Sequence, residues 1–390
     1  MPVLRTPRHR GLVAGALIAL AGVAAWATVQ ALLGSGTWSS DDGTALVYAP
    51  KSGEYAFAAA KPNDARRNQV FSGDAGTLAA FETTHPLGAI TALPASGDPV
   101  RGTFSPVVDW PLVAIHAVLT PDGRVLTYGS TTTGVRTGYF DYDVWDPQLG
   151  LGLESHTTLP NTSAVDIFCN TQLLMPNGTV EMWGGDILDP SRNAASLLPN
   201  DDSNVFFPAD NTLIRTGKMH RPRWYASSTM LPNGEVYLQG GTGGGDYPEV
   251  RTGTGEFRLL TGAPTGTIDE LYPRNFLAPD GTVFGIMGNR IYRVDASGPG
   301  AIMQLRPFNN TDTGSTSTSV MVKPGLVLQV GGGYNELAAS PDAHLIDMAT
   351  TDISAITPPA HRRHWANATA LPDGRVFLSG GSTADNDPVN

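Results

Sequence analysis

The chain has 390 residues, with 45 glycines, 30 prolines and a single cysteine; 16 % are charged, 41 % are hydrophobic, and the formal net charge is −11. Its apolar content excludes a disordered chain, the lack of a G-X-Y period excludes collagen, and one cysteine excludes an intrachain disulfide framework or a cysteine-only zinc site. Glycine and proline at this density shorten helices and multiply turns, so the composition points to an all-β fold in one large domain or two average ones.

In chain order, residues 5–10 read RTPRHR, and an apolar run from Leu12 to Leu33 follows. A basic stretch before an apolar one is the pattern of a secretory signal, and Ala25-Trp26-Ala27 fits its small-residue cleavage site. The alternative is an uncleaved anchor, with membrane attachment through residues 11–33, because the run approaches the ~20 residues that span a bilayer. Either reading places the bulk of the chain outside the cytoplasm, secreted or in the periplasm or cell envelope. Without residues 1–33 the chain keeps 22 basic and 36 acidic residues, a net charge of −14. Such a surface repels phosphate backbones, so no nucleic-acid partner is expected.

Residues 34–104 are rich in Ala, Gly, Ser, Asp and Pro and show no repeat; they read as an irregular lead-in, in which 44–59 could form a strand or two. From residue 105 to 390 the chain repeats itself. Six segments share a strand, a proline–glycine turn, a second strand and then glycines: IHAVLTPDGRVLTYGS from Ile115, CNTQLLMPNGTVEMWGGD from Cys169, YASSTMLPNGEVYLQGGT from Tyr225, YPRNFLAPDGTVFGIMGN from Tyr272, STSVMVKPGLVLQVGGGY from Ser317 and WANATALPDGRVFLSGGS from Trp365. Proline fixes φ and glycine accepts φ > 0, so each turn predicts a tight hairpin. Gly-Gly at the end of the second strand predicts close backbone packing there. The turn prolines stand at 121, 176, 232, 279, 324 and 372, spaced by 55, 56, 47, 45 and 48 residues. A period near 50 is that of kelch propeller blades. DYDVWDP from Asp141 predicts a third strand in the first blade. The last repeat reaches Asn390 with only its first hairpin, so that blade reads as incomplete: either the chain is truncated or the N-terminal region supplies the missing strands.

Propeller sites gather where the innermost strands begin, which makes the residues opening each repeat candidates for chemistry. Here the sequence resembles a known family. DIFCNTQLLMPNGTVEMWGGD from Asp166 and RPRWYASSTMLPNGEVYLQGG from Arg221 look like the matching segments of glyoxal oxidase and galactose oxidase, the copper radical oxidases. The resemblance covers roughly residues 105–390. It implies a seven-bladed propeller followed by an immunoglobulin-like domain, of which this sequence shows six blade starts and no second domain. It implies that Cys169 forms a thioether with the ring of Tyr225, that Tyr225 binds copper and stores a radical, and that Trp224 shields or stacks on that ring. The implied reaction is oxidation of a primary alcohol, aldehyde or carbohydrate, with O2 reduced to H2O2.

The family's copper site also needs a second tyrosine and two histidines, one of them in a Tyr-His pair that is missing here. Tyr225 is one of the four expected protein ligands, so the reading expects an impaired site, with a non-catalytic carbohydrate- or envelope-binding propeller as the alternative. Among the histidines, His116 reads as a core residue of the first inner strand, His220 precedes the Arg-Pro-Arg-Trp-Tyr turn and could sit near Tyr225, and the three-residue spacing of His361 and His364 does not guarantee a shared face on a strand or turn. Gly240–Gly245 lacks the ending of a phosphate loop. Asn200-Asp201-Asp202-Ser203-Asn204 reads as a solvated loop, its spacing not being that of a calcium site.

Overall fold

The computed structural model describes residues 107–131, 141–189, 194–268, 271–288, 290–307, 316–333, 338–371 and 374–383, and by backbone alone four earlier strands, Thr37–Ser39, Thr44–Ala49, Glu54–Ala59 and Phe71–Gly73. The apolar run of residues 12–33 and the last seven residues lie outside this set. Apart from one 3-10 turn at Leu153–Ser155, the described elements are all strands. No helix among the described residues is long and apolar enough to cross a membrane.

The four early strands pair antiparallel in chain order, so part of the lead-in region is a sheet. The segment 44–59 is its central hairpin.

From Val113 onward the chain makes one sheet per repeat. The first contains Val113–Leu119, Val125–Ser130, Asp141–Trp145 and His156–Pro160; its third strand is the predicted DYDVW. The second contains Thr171–Leu174, Val180–Trp183, Asp202–Phe207 and Thr212–Lys218, with a separate hairpin, Asp186–Asp189 and Ala194–Pro199, inserted between its second and third strands. The third contains Trp224–Met230, Val236–Thr242, Glu249–Arg251 and Phe257–Leu259. The fourth contains Arg274–Leu277, Val283–Met287, Arg290–Asp295 and Ala301–Pro307, and the fifth Thr318–Lys323, Leu326–Val330, Ala343–Asp347 and Ile353–Ala355. The sixth has the hairpin His364–Ala370 and Val376–Ser382 among the described residues. Every pairing is antiparallel.

The hairpin turns follow the local chemistry. At Leu231-Pro232-Asn233-Gly234-Glu235 the Gly234 N–H donates to the Leu231 carbonyl at 3.0 Å, Leu231 N–H donates to Glu235 O at 2.8 Å, and Asn233 Oδ1 accepts the Glu235 N–H at 3.1 Å. Gly234 sits at φ +81°, where a β-carbon is disfavoured. The two backbone bonds recur at Gly178, Gly281 and Gly374.

The first strand of each sheet packs beside the first strand of the next, from Val113–Leu119 round to His364–Ala370. The apolar clusters lie between consecutive sheets rather than within one. Leu126, Tyr142 and Val144 of the first pack on Val180, Met182 and Phe206 of the second. Trp183 of the second packs with Met230 and Leu238 of the third. Tyr237 and Val250 of the third meet Val283 and Tyr292 of the fourth, and Phe284 and Ile291 of the fourth meet Val327 and Ile346 of the fifth. Sheets that bury both faces on their neighbours, with aligned inner strands, form a β-propeller.

The Gly-Gly ends lie at these joints. A β-carbon on Gly184 would stand 2.1 Å from the Arg223 carbonyl oxygen, at φ +74°, and the next N–H, of Gly185, donates to that same oxygen at 2.9 Å. Gly184→Ala is therefore expected to lower stability by about 2 kcal/mol or more, read as a shift in the urea midpoint at constant slope. A neutral result would show that the sheet-to-sheet spacing relaxes freely.

The segment 200–204 differs from its expected solvated loop. Asp202, Ser203 and Asn204 begin a strand, and Asn200 is buried with its Nδ2 donating to the Asp166 and Asp186 carbonyls at 2.9 and 2.8 Å. The Asn200 amide is taken up by backbone carbonyls and Asp201 and Asp202 pair with Lys218 and Arg215, which a run of Asn and Asp does not announce.

Candidate active site

Cys169, Tyr225, Tyr272 and Trp365 each stand seven residues before a turn proline, at Pro176, Pro232, Pro279 and Pro372. All four adopt left-handed backbone, with φ of 58°, 68°, 49° and 55°. For a non-glycine residue this costs of order 1–2 kcal/mol, and such strain concentrates at functional sites. Here it is held by hydrogen bonds between sheets. Tyr225 N–H donates to Cys169 O at 2.9 Å, Tyr272 N–H to Tyr225 O at 2.8 Å, and Trp365 N–H to Thr316 O at 2.9 Å.

Side chains complete this chain of bonds at two places. Cys169 N–H donates to Nε2 of His116 at 3.1 Å. Between the fourth and fifth sheets Arg274 bridges the gap: Nη1 donates to the Tyr272 carbonyl, and Nε and Nη2 donate to Ser317 O at 3.0 and 2.6 Å. Burial lowers the Arg274 pKa to about 10.

The bonds bring Cys169, Tyr225 and Tyr272 into one cluster. Cys169 is buried and free of any disulfide. Trp224 stacks on Tyr225, with ring centroids 4.1 Å apart and planes at 29°. Tyr272 meets Tyr225 edge-on at 5.0 Å. Burial above all, then the neighbouring Cys169 and Tyr225, push the Tyr272 pKa well above the usual tyrosine value. The resemblance-implied residues Cys169, Tyr225 and Trp224 thus lie together. Tyr272 joins them without having been singled out, although its place seven residues before a turn proline marked it as their equivalent.

Behind the cysteine, His116 stacks on Tyr128 at 4.7 Å and 11°. The Tyr128 hydroxyl donates to Asn170 Oδ1 at 2.7 Å. His116 is thus more than a core residue: it is an acceptor for the Cys169 backbone. Burial lowers its pKa to about 4 from 6.5, and burial also lowers that of His344. The unfolded chain therefore binds these protons first as pH falls, so folded stability should decline from about pH 6.5 down to about pH 4. Urea midpoints should fall between pH 7 and pH 4.5, and by less in His116→Gln; a flat profile would contradict a neutral buried imidazole.

The segment leading into Trp224 and Tyr225 is held by Arg223. This fully buried guanidinium bonds to Glu249 Oε1 through Nη2 at 3.0 Å and to the carbonyls of Gly240, Gly244 and Tyr247 at 2.7, 2.9 and 2.7 Å. The glycine run 240–245 thus wraps an arginine rather than a phosphate.

One histidine expectation changes. The ring of His220 meets the carbonyl of Phe257, on the outermost strand of the third sheet, at 2.9 Å, while Tyr225 lies on the innermost. His364 is buried with Nδ1 2.6 Å from Thr316 Oγ1, whereas His361 is exposed. An open cavity of about 350 Å³ lined by Arg290, Gln304 and Arg306 shares no residue with the cluster.

The donor chemistry fits a thioether: a buried thiol and a phenol ring on adjacent inner strands. For a copper ion the fit is partial. The phenols of Tyr225 and Tyr272 are suitable oxygen donors, but the ring nitrogen of His116 is engaged by a backbone N–H. Among the described residues no group of three or more His, Cys, Asp or Glu is gathered to hold a metal.

Fold and cluster together define a propeller whose inner strand starts carry an aromatic–thiol pair. No family model matches the chain. It is similar to aldehyde oxidase GLOX of Vitis pseudoreticulata, 24 % identical over 230 residues, which are 54 % of this chain and 43 % of that protein. It is similar to a putative aldehyde oxidase, Art an 7, of Artemisia annua, 30 % identical over 144 residues, covering 34 % and 23 %. With galactose oxidase of Gibberella zeae it shares 23 % identity over 320 residues, covering 73 % and 44 %. The chain spans less than half the length of each of these relatives. Among solved structures it shares the fold of a fungal alcohol oxidase of the AA5 family in complex with copper, at a TM-score of 0.62 and 20 % identity, over 73 % of this chain and 62 % of that one. The chain is therefore similar to the copper radical oxidases, with a galactose oxidase-like β-propeller.

Proposed function

We propose that this chain carries the propeller of an exported copper radical oxidase, in which Cys169 and Tyr225 form a thioether-linked cofactor. The substrates are primary alcohols, aldehydes or carbohydrates, and O2 is the acceptor, giving H2O2. The observation that carries this reading is the meeting of Cys169 and Tyr225 at adjacent strand starts, joined by the Tyr225 N–H to Cys169 O bond. The names of the relatives, aldehyde oxidase and galactose oxidase, support the reaction class.

Each residue has a part set by its surroundings. Tyr225 is the phenol to be crosslinked, oxidised and presented as the oxygen donor for copper. Copper, when bound, supplies the second one-electron oxidising equivalent. Trp224 covers one face of the Tyr225 ring and limits its contact with water. Tyr272 closes the edge of the same ring. Because the described residues supply no imidazole pair beside Tyr225, the chain by itself is expected to release little peroxide from glyoxal or galactose. Export rests on the basic and apolar pattern of residues 5–33.

The direct test is the intact mass of the purified chain after exposure to copper and air. Loss of two hydrogens, with Cys169 no longer open to alkylation, supports the cofactor. An unchanged mass with Cys169 fully alkylated would sink it and favour a non-catalytic binding propeller.

A further inference from the structure

We propose that the cavity at the rim of the fourth sheet, lined by Arg290, Gln304 and Arg306, is a binding site for a carboxylated sugar. The inference is independent of the cofactor reading and concerns a part of the molecule that shares no residue with it.

The strand register places the cavity. In the fourth sheet the inner strand starts at Arg274, opposite Ile286 near the end of the second strand. Met287, which ends that strand, pairs with Arg290 at the start of the third, and Arg290 pairs with Pro307 at the end of the outermost. The cavity therefore lies on the face of the propeller where the inner strands begin, the face of Cys169, Tyr225 and Tyr272. At roughly 5 Å per strand, it stands about 10–15 Å outward of the inner strand.

The second sheet offers a comparison within the same molecule. Its third strand starts at Asp202, opposite Lys218, and two residues on Asn204 pairs with Arg215 across a bulge. In the fourth sheet Arg290 stands opposite Pro307, and two residues on Tyr292 pairs with Gln304 across a bulge. Arg290 is thus the counterpart of Asp202. In the second sheet that position holds a carboxylate, which takes up the cations of Arg215 and Lys218. In the fourth it holds a guanidinium. Among the described residues no carboxylate meets Arg290, whose Nη1 donates to Gln304 Oε1 at 3.1 Å. A cation stands where the second sheet has its internal anion, so the counter-charge is left to a ligand. This is notable in a chain whose formal net charge is −11.

The lining suits one class of ligand. A guanidinium fork binds carboxylate oxygens two at a time. Its partners are held from the neighbouring sheets: Gln304 Nε2 donates to Thr267 Oγ1 at 3.4 Å, and Arg306 Nη1 donates to Thr351 O at 3.3 Å. Ile291, Leu305 and Pro307 supply an apolar wall for the C–H face of a sugar ring. The volume, about 350 Å³, is at the small end of ligand cavities and suits a monosaccharide.

The experiment is calorimetric titration of the full chain, without copper, with methyl galacturonoside and with methyl galactoside. The two differ in a carboxylate against a hydroxymethyl group. The acid is expected to bind with a Kd on the order of 1 mM or tighter, and at least about tenfold more tightly than the neutral sugar. Arg290→Gln should weaken it about tenfold. Arg290→Asp, which restores the carboxylate of the second sheet, should abolish it. Arg290 is only half-buried, so the urea midpoint of Arg290→Gln should stay parental, and this variant decides the matter if Arg290→Asp does not fold. Parental affinity in Arg290→Gln, equal affinity for the two sugars, or no saturable binding of the acid overturns the site. Acetate and inorganic phosphate are the remaining arms. Either one competing with an affinity equal to that of the galacturonoside would reduce the cavity to a bare oxyanion site and overturn the sugar assignment. No arm needs the Cys169–Tyr225 crosslink, so a failure here and a failure of the cofactor are read separately.

Discussion

Replacing Tyr225 with phenylalanine is expected to abolish the two-hydrogen mass loss and to leave Cys169 open to alkylation. The phenol oxygen is what makes the ring oxidisable; a phenyl ring of the same shape does not yield a radical at accessible potentials. The fold should survive, because the Tyr225 N–H still reaches Cys169 O and the ring still stacks on Trp224. Any peroxide release supported by a complete oxidase carrying this propeller should fall by at least about a thousandfold, the scale on which residues acting as one catalytic unit fail together. Cys169→Ala should also block the mass loss while keeping an oxidisable phenol. Mass spectrometry of tryptic peptides decides the matter: a Cys169-containing crosslink that persists in Tyr225→Phe would move the reacting ring to Tyr272, the other phenol in the cluster.

Arg223→Ala is expected to lower stability by about 3–5 kcal/mol, enough to unfold a marginal domain. The guanidinium is fully buried and ion-paired with Glu249, which is also fully buried. Glu249 in turn accepts the backbone N–H groups of His220 and Arg221 at 2.7 and 3.0 Å. Truncation leaves a carboxylate and the carbonyls of Gly240, Gly244 and Tyr247 without their donor. Lysine offers a point charge in place of a planar fork and should recover only part of the loss. The effect should reach the cluster as well, since Arg223 precedes the Trp224–Tyr225 pair and its carbonyl accepts the Gly185 N–H from the second sheet. Urea unfolding followed by tryptophan fluorescence measures the change. A loss below about 1 kcal/mol would mean that the buried pair offsets little more than its own desolvation.

The parts of the molecule legible in the sequence are those set by short-range geometry. A Pro-Asn-Gly triplet fixes a hairpin wherever it stands, because proline limits φ and glycine supplies the left-handed residue; Leu231–Glu235 forms the turn expected of it. Gly-Gly at a strand end marks a joint where a β-carbon would meet a carbonyl, as Gly184 does at Arg223. The polar run 200–204 went the other way: the Asn200 amide satisfies backbone carbonyls 14 and 34 residues distant, and composition alone reads such a residue as solvent-facing. His116 was visible only as a histidine on an inner strand, and Tyr272 only as the first residue of a repeat.

By itself the sequence determined the repeat, its period, the all-β architecture and the likeness of the Cys169 and Tyr225 segments to a copper radical oxidase. These depend on residue types at fixed spacing along one strand or turn. Only the tertiary structure decided which residues surround the cysteine. His116 lies 53 residues before it, and Tyr272 comes from the sheet beyond that of Tyr225. Their bonds run between sheets, across the inner strand starts, where the packing of one sheet against the next sets the distances. No local pattern encodes that packing; it follows from burying the apolar faces of all the sheets together.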